Sequence, residues 1–218
     1  MPKKTGMTMK DRVAGVLAAL DIFYPHDDKC FLDYSEPYQL MIATILSAQC
    51  TDARVNLVTK DLFVQYPSIE AFARAKQSEM EEAVRQTGFF RMKAEHIIGA
   101  MQRLLTVHNG VMPSDIDALT QFPGVGRKTA NVVRSHIFNL PSIVVDTHVK
   151  RISYKLGLTD ETEPQKVEFD LMKKLPQAHW IRFNTQLIAH GRAVCIARRP
   201  QCENCGLQDY CMEREVPA

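Results

Sequence analysis

Apolar residues recur at intervals of three and four along most of this chain and rarely at intervals of two, a spacing that builds helices rather than sheets. The segment from about Arg91 to His108 is the clearest case. Ala94, Ile97, Ile98, Met101, Leu104 and Leu105 mark one face, and Asn109-Gly110 supplies a C-terminal stop. Pro37 opens a predicted helix through Ser47, and the Thr51-Asp52 pair, with Asp52 as cap, starts one running toward Tyr66. Ser78 and Glu81 have capping-box spacing ahead of a stop at Gly88. Further helices are expected after a Ser114 cap, from Arg127 to Phe138, Thr147 to Leu156, Pro164 to Leu175 and Ala178 to His190, with Gly157 and Gly191 as terminators. Ile143-Val144-Val145, between Pro141 and Asp146, reads as a single short strand. The fold class is all-α.

A chain of 218 residues with 45% apolar content holds one good core or two small ones. No uncharged apolar run approaches the ~20 residues that cross a bilayer, and the start MPKKTGMTMK has no apolar stretch behind its lysines. Both features point to a soluble intracellular protein without membrane association. The net charge of +2 is too small to argue for nucleic acid by itself; where the basic residues lie decides that.

Between Ser114 and Phe138 the pattern is helix, Phe122-Pro123-Gly124-Val125-Gly126, helix. Gly124 and Gly126 let the backbone turn sharply and approach a ligand, and the helix that follows presents unpaired N–H groups at its positive dipole end. Such a turn suits a phosphate oxygen and reads backbone rather than base sequence. A bare G-x-G between helices is more often a plain turn. Here Val125 is suited to pack the hairpin tip, and Arg127, Lys128 and Arg134 on the outgoing helix make the surface basic.

Of six cysteines, Cys30 and Cys50 stand alone, while Cys195, Cys202, Cys205 and Cys211 follow C-x6-C-x2-C-x5-C. Four thiolates so close together, in a chain with no export signal, favour a metal centre over disulfides. Spacing alone leaves zinc and an iron–sulfur cluster evenly matched.

LTQFPGVGRKTANVV followed by VVDTH resembles the helix-hairpin-helix and Gly/Pro-Asp signature of the endonuclease III family of DNA glycosylases. The likeness extends through LSAQCTD, GFFRMKAEHI, HGRAVCIARRP and the terminal cysteines, nearly the whole chain. It implies two helical domains with a DNA-binding cleft between them. Residues 30–140 would form a six-helix barrel with the hairpin, and residues 1–29 with 141–218 an iron–sulfur domain in which the four cysteines hold a [4Fe–4S] cluster.

The resemblance also assigns roles. Lys128 aligns with the nucleophile of the combined glycosylase/lyases, and Asp146 with the catalytic carboxylate. A primary amine can displace a damaged base at the sugar C1′ and form a Schiff base that drives loss of the 3′ phosphate. It must be uncharged to attack, and lysine is ordinarily protonated at neutral pH; Arg127, Arg134 and partial burial are the expected influences, with Asp146 as proton acceptor or as stabiliser of the cationic sugar. Gln49 and Phe89 align with the residues that fill the space left by an extruded nucleotide. Gly124, Val125, Gly126, Arg127, Thr129 and His148 are further expected DNA contacts, and Arg192, Arg198 and Arg199 would meet the phosphate backbone from beside the cluster. By themselves Lys128 reads as a solvated helix-face lysine, Asp146 as a helix cap, Phe89 and Phe90 as core, and His148 and His190 as structural hydrogen-bonders. Thr120 departs from the family, where an acid often stands.

The implied function is base-excision repair: removal of oxidised pyrimidines from double-stranded DNA and cleavage at abasic sites, by a monomer in the cytoplasm, at the nucleoid in a bacterium. Pyrimidine-dimer or mismatch specificity is the enzymatic alternative. Adenine removal from mismatches is disfavoured by Lys128 and by the chain's end seven residues after Cys211. A non-catalytic DNA-binding module would have no need of Lys128 paired with Asp146. An N-terminal amine on Pro2 would need an acidic neighbour, and Lys3-Lys4 follows instead.

Overall fold

A helix buried on every side forms the centre of a domain, and α2 (Pro37–Leu46) is such a helix: Tyr38 and every residue from Leu40 to Leu46 are buried. The computed structural model describes residues 6–25 and 30–212, so Pro2 lies outside the described residues. The chain divides into two compact units, Cys30–Leu140 and a second made of Met1–Lys29 with Pro141–Ala218.

In the Cys30–Leu140 unit, α3 (Asp52–Gln65), α6 (Phe90–His108) and α8 (Arg127–Phe138) pack on α2. Two shorter helices, α4 (Ile69–Ala73) and α5 (Gln77–Val84), lie against α6. α7 (Ile116–Thr120) pairs with α8. The core they share includes Leu46, Phe72, Met80, Ile97, Met101 and Val133. The stop after α6 has the expected form: Asn109 (φ 51°) and Gly110 (φ 77°) are both left-handed, and the Gly110 N–H returns to the Leu104 carbonyl at 2.9 Å.

The second unit gathers α1 (Met9–Phe23), α9 (Thr147–Lys155), α10 (Pro164–Lys174) and α11 (Trp180–Ala193) around Val16, Leu20, Ile152, Leu171 and Phe183. Buried Arg12 on α1 donates to the carbonyls of Leu156 (3.2 Å) and Tyr210 (2.5 Å), tying the first helix to chain that follows much later.

Several expectations are corrected. Ile143-Val144-Val145 forms no strand, and there is none among the described residues. The segment from Ser142 to Val145 is buried without alternation and has no strand to pair with; the Asn184 side chain holds it, donating to the Ser142 carbonyl at 3.1 Å. Ser78 lies inside α5, whose register is set by burial of Met80 and Val84. Ser68 is the serine that caps a helix here, the short α4, accepting from the Ala71 N–H. Asp115 rather than Ser114 caps α7, accepting from the Ala118 N–H at 2.9 Å, where its charge also meets the helix dipole. Thr51 caps α3, which makes Asp52 the first helical residue.

Gly191 ends nothing. It is buried inside α11, where a Cβ would collide with the His148 ring. Gly191→Ala is expected to cost about 1–3 kcal/mol through overpacking, seen as a lower thermal midpoint. A His148→Ala background should restore most of the loss.

Candidate active site

The turn between α7 and α8 is built from its apolar residues outward. Phe122 is buried and stacks on His108, with ring centroids 5.2 Å apart. Pro123 rests against Gly99 of α6, and the Val125 N–H closes the turn on the Phe122 carbonyl at 3.1 Å. Gly124 has φ +73°, and a Cβ there would stand 2.7–2.8 Å from His96. Gly124→Ala is therefore expected to destabilise the protein by about 1–3 kcal/mol and to weaken duplex binding in a filter or anisotropy titration.

Gly126 is the N-cap of α8, so no side chain caps this helix, and no acid lies in its first turn. A helix start without a side-chain cap is the kind of site that can receive an anion. Gly124 and Gly126 are exposed, while the Val125 and Thr129 side chains are buried and can serve only through their backbone. Lys128 is exposed at the second position of α8, beside half-buried Arg127. Thr120 turns its hydroxyl to the Asp117 carbonyl at 3.0 Å.

Gln49 and Phe89 belong to the same unit and share an unusual backbone. Both are non-glycine residues in left-handed conformation, with φ 53° and 46°, and both are exposed. The two adjacent phenylalanines divide their roles. Phe90 packs partly against the core under the Arg85 and Arg91 guanidinium groups, while Phe89 is 59% exposed.

In the other unit Asp146 is the N-cap of α9, its Oδ1 accepting from the Val149 N–H at 2.7 Å. The cap engages one carboxylate oxygen. His148, in the first turn of the same helix, fits into the space left by Gly191.

The four C-terminal cysteines lie in or beside irregular chain, and Cys195, Cys205 and Cys211 pack on the second core. Burial, and then the neighbouring thiols, push the Cys205 thiol above its ordinary range. Held as thiolates, four closely spaced cysteines would call for a cationic centre to offset their charge. Among the described residues no three His, Cys, Asp or Glu side chains are grouped as they would be around a bound metal ion.

His190 supports the sulfur set. Its Nε2 lies 3.6 Å from Cys205 Sγ, and the Tyr24 hydroxyl lies 2.9 Å from its Nδ1. Burial, then Arg151, lowers its pKa to about 4, so the ring is neutral. Were Cys205 a metal-bound thiolate it would only accept, which would place the His190 proton on Nε2 and leave Nδ1 to accept from Tyr24. Arg151 donates to the Cys195 carbonyl at 2.6 Å. Tyr24 and Arg151 escaped sequence reading because neither lies within the cysteine pattern; only the fold brings them there. Arg192, Arg198 and Arg199 are exposed around Cys195.

Residues 42–177 match the HhH-GPD superfamily base excision DNA repair protein family, and residues 195–211 match the iron–sulfur binding domain of endonuclease III. Endonuclease III of Synechocystis sp. is 49% identical over 203 residues, covering 93% of this chain and 92% of that relative. The chain belongs to the endonuclease III family.

Two solved members, a non-covalent endonuclease III–DNA complex and a trapped endonuclease III–DNA covalent intermediate, each superpose with a TM-score of 0.89. They share 40% identity and cover 94% of this chain and 96% of theirs. As an endonuclease III family member the protein is a DNA base-excision repair glycosylase and abasic-site lyase, its partner is DNA, and its cofactor is a [4Fe–4S] cluster. Among the described residues no helix is long and apolar enough to cross a membrane.

Proposed function

We propose that this enzyme removes oxidised or ring-saturated pyrimidines from duplex DNA with Lys128 as nucleophile and Asp146 as the catalytic carboxylate. The observation that carries this reading is the setting of Lys128: an exposed primary amine one residue into a helix that starts at a glycine turn and has no side-chain cap. The amides of Gly124, Val125 and Gly126, with the side chain of Arg127, hold a phosphate of the damaged strand.

The Lys128 Nζ lone pair attacks C1′ as the glycosidic bond breaks, and the bonding pair leaves with the base, which takes up a proton. Loss of the amine proton and ring opening give a protonated Schiff base. Removal of a C2′ proton then expels the 3′ phosphate, and water frees the lysine. Asp146 accepts the amine proton or balances the positive charge on the sugar as the base departs.

Gln49 and Phe89 fill the vacated duplex space. Thr129, through its backbone, and His148 add further DNA contacts. Cys195, Cys202, Cys205 and Cys211 hold the cluster, which stiffens the loop that brings Arg192, Arg198 and Arg199 to the phosphates. In this reading the Cys30–Leu140 unit serves as the barrel and hairpin domain and the other unit as the cluster domain. The compartment is the one that holds the chromosome, the bacterial cytoplasm.

A panel of duplexes, each with one defined lesion, tests the specificity. Release of oxidised pyrimidines with a β-eliminated strand end is expected, and a preference for pyrimidine dimers or for adenine in mismatches contradicts it. Anaerobically purified protein should be coloured and carry about four irons per chain; a colourless protein with stoichiometric zinc overturns the cluster assignment.

A further inference from the structure

The chemistry above leaves a buried amine unused. Lys93, in the first turns of α6, is 1% exposed, and its Nζ donates to the Leu46 carbonyl at 2.8 Å and the Thr87 carbonyl at 2.7 Å. Leu46 is the last residue of α2, and Thr87 closes the 3-10 turn Arg85–Thr87. These carbonyls are held points just ahead of the two left-handed non-glycine residues. Gln49 comes three residues after Leu46, and Phe89 two after Thr87, following Gly88 at φ 70°.

Left-handed backbone at a side-chain-bearing residue is disfavoured and persists only where the surroundings fix it. An ammonium suits that task, because it offers three donors and no acceptor and so can bind carbonyls from two chain segments at once. No apolar side chain could do so. Burial lowers the Lys93 pKa from its ordinary value, so a charge kept here works against desolvation. On the exposed side, Arg54 joins the same segments by donating to Gln86 at 2.8 Å.

We propose that Lys93 is a positioning residue for base extrusion: its ammonium locks the turn carrying Gln49 to the turn carrying Phe89, so that both side chains enter the duplex as one rigid pair. This rests on the reading of Gln49 and Phe89 as the space-filling residues. Lys93 touches no DNA and takes no part in the bond-breaking steps.

The test compares single-turnover excision of one lesion placed either in a paired duplex or in an unpaired bubble flanked by duplex, where extrusion costs least. Wild type, Lys93→Met, Lys93→Gln, Gln49→Ala and Phe89→Ala are used as cluster-loaded full chains. The ratio of the two rates within one preparation cancels any inactive fraction. Lys93→Met is expected to lose on the order of 10- to 100-fold on the paired substrate and to keep the bubble rate within about threefold. Lys93→Gln, which retains an amide donor, should fall between Lys93→Met and wild type. Equal losses on both substrates mean a general structural role and overturn the proposal, as does no loss on either. If Gln49→Ala and Phe89→Ala lose nothing specific to the duplex, the space-filling reading falls and the clamp with it. If they do and the Lys93 variants do not, the clamp alone falls.

Discussion

Lys128→Gln is expected to lower strand cleavage at abasic sites by on the order of 10³-fold or more and to eliminate the protein–DNA adduct that borohydride traps in the wild type. An amide nitrogen cannot form the imine. The substitution is mild in every other respect, because Lys128 is exposed near the start of α8 and glutamine has a helix propensity close to that of lysine. Thermal stability should change by no more than about 0.5 kcal/mol, and the salt dependence of duplex binding should lose about one counterion's worth of slope. Unimpaired nicking by this variant rules out the amine as nucleophile.

Asp146→Asn separates two duties of one side chain. Its Oδ1 caps α9 through the Val149 N–H, and asparagine caps a helix about as well as aspartate. Stability is therefore expected to stay within a few tenths of a kcal/mol of wild type, by thermal or urea denaturation. Base excision should fall by about 10²- to 10⁴-fold, because the amide neither takes up a proton nor balances a cationic sugar. A variant of wild-type stability that also excises normally identifies Asp146 as a structural cap alone.

Much of the architecture was legible because helices announce themselves locally. The stripe from Ala94 to Leu105 and the Asn109-Gly110 stop define α6, and Arg127 to Phe138 matches α8 residue for residue. The misreadings arose where a local signal met a tertiary constraint. Gly191 looks like a terminator, but it exists to admit the His148 ring. Ile143 to Val145 has strand composition, but it is buried among helices with no partner strand.

The candidate site was legible through residue types at fixed spacing, as in the Gly124–Lys128 turn and the four cysteines. Residues that act through others left a fainter trace. Lys93 lies four residues before Ile97, on the apolar stripe of α6 where a charge is out of place, and one of its carbonyl partners, Leu46, is 47 positions away. The same holds for Tyr24, which reaches His190 across 166 positions.

The unit that contains α1 is discontinuous, with Cys30–Leu140 placed between its two pieces. On the ribosome, α1 is made before the rest of its unit, yet the core that Val16 and Leu20 join is completed by residues made after Leu140. The central unit, by contrast, has all of its chain at hand once Leu140 has emerged. Vectorial synthesis thus sets an order of assembly, in which the middle of the polypeptide closes while its beginning waits with a greasy stripe exposed. A translational stall once Leu140 has emerged would leave a nascent chain with a finished middle and a sticky head, a form of this protein in need of a chaperone.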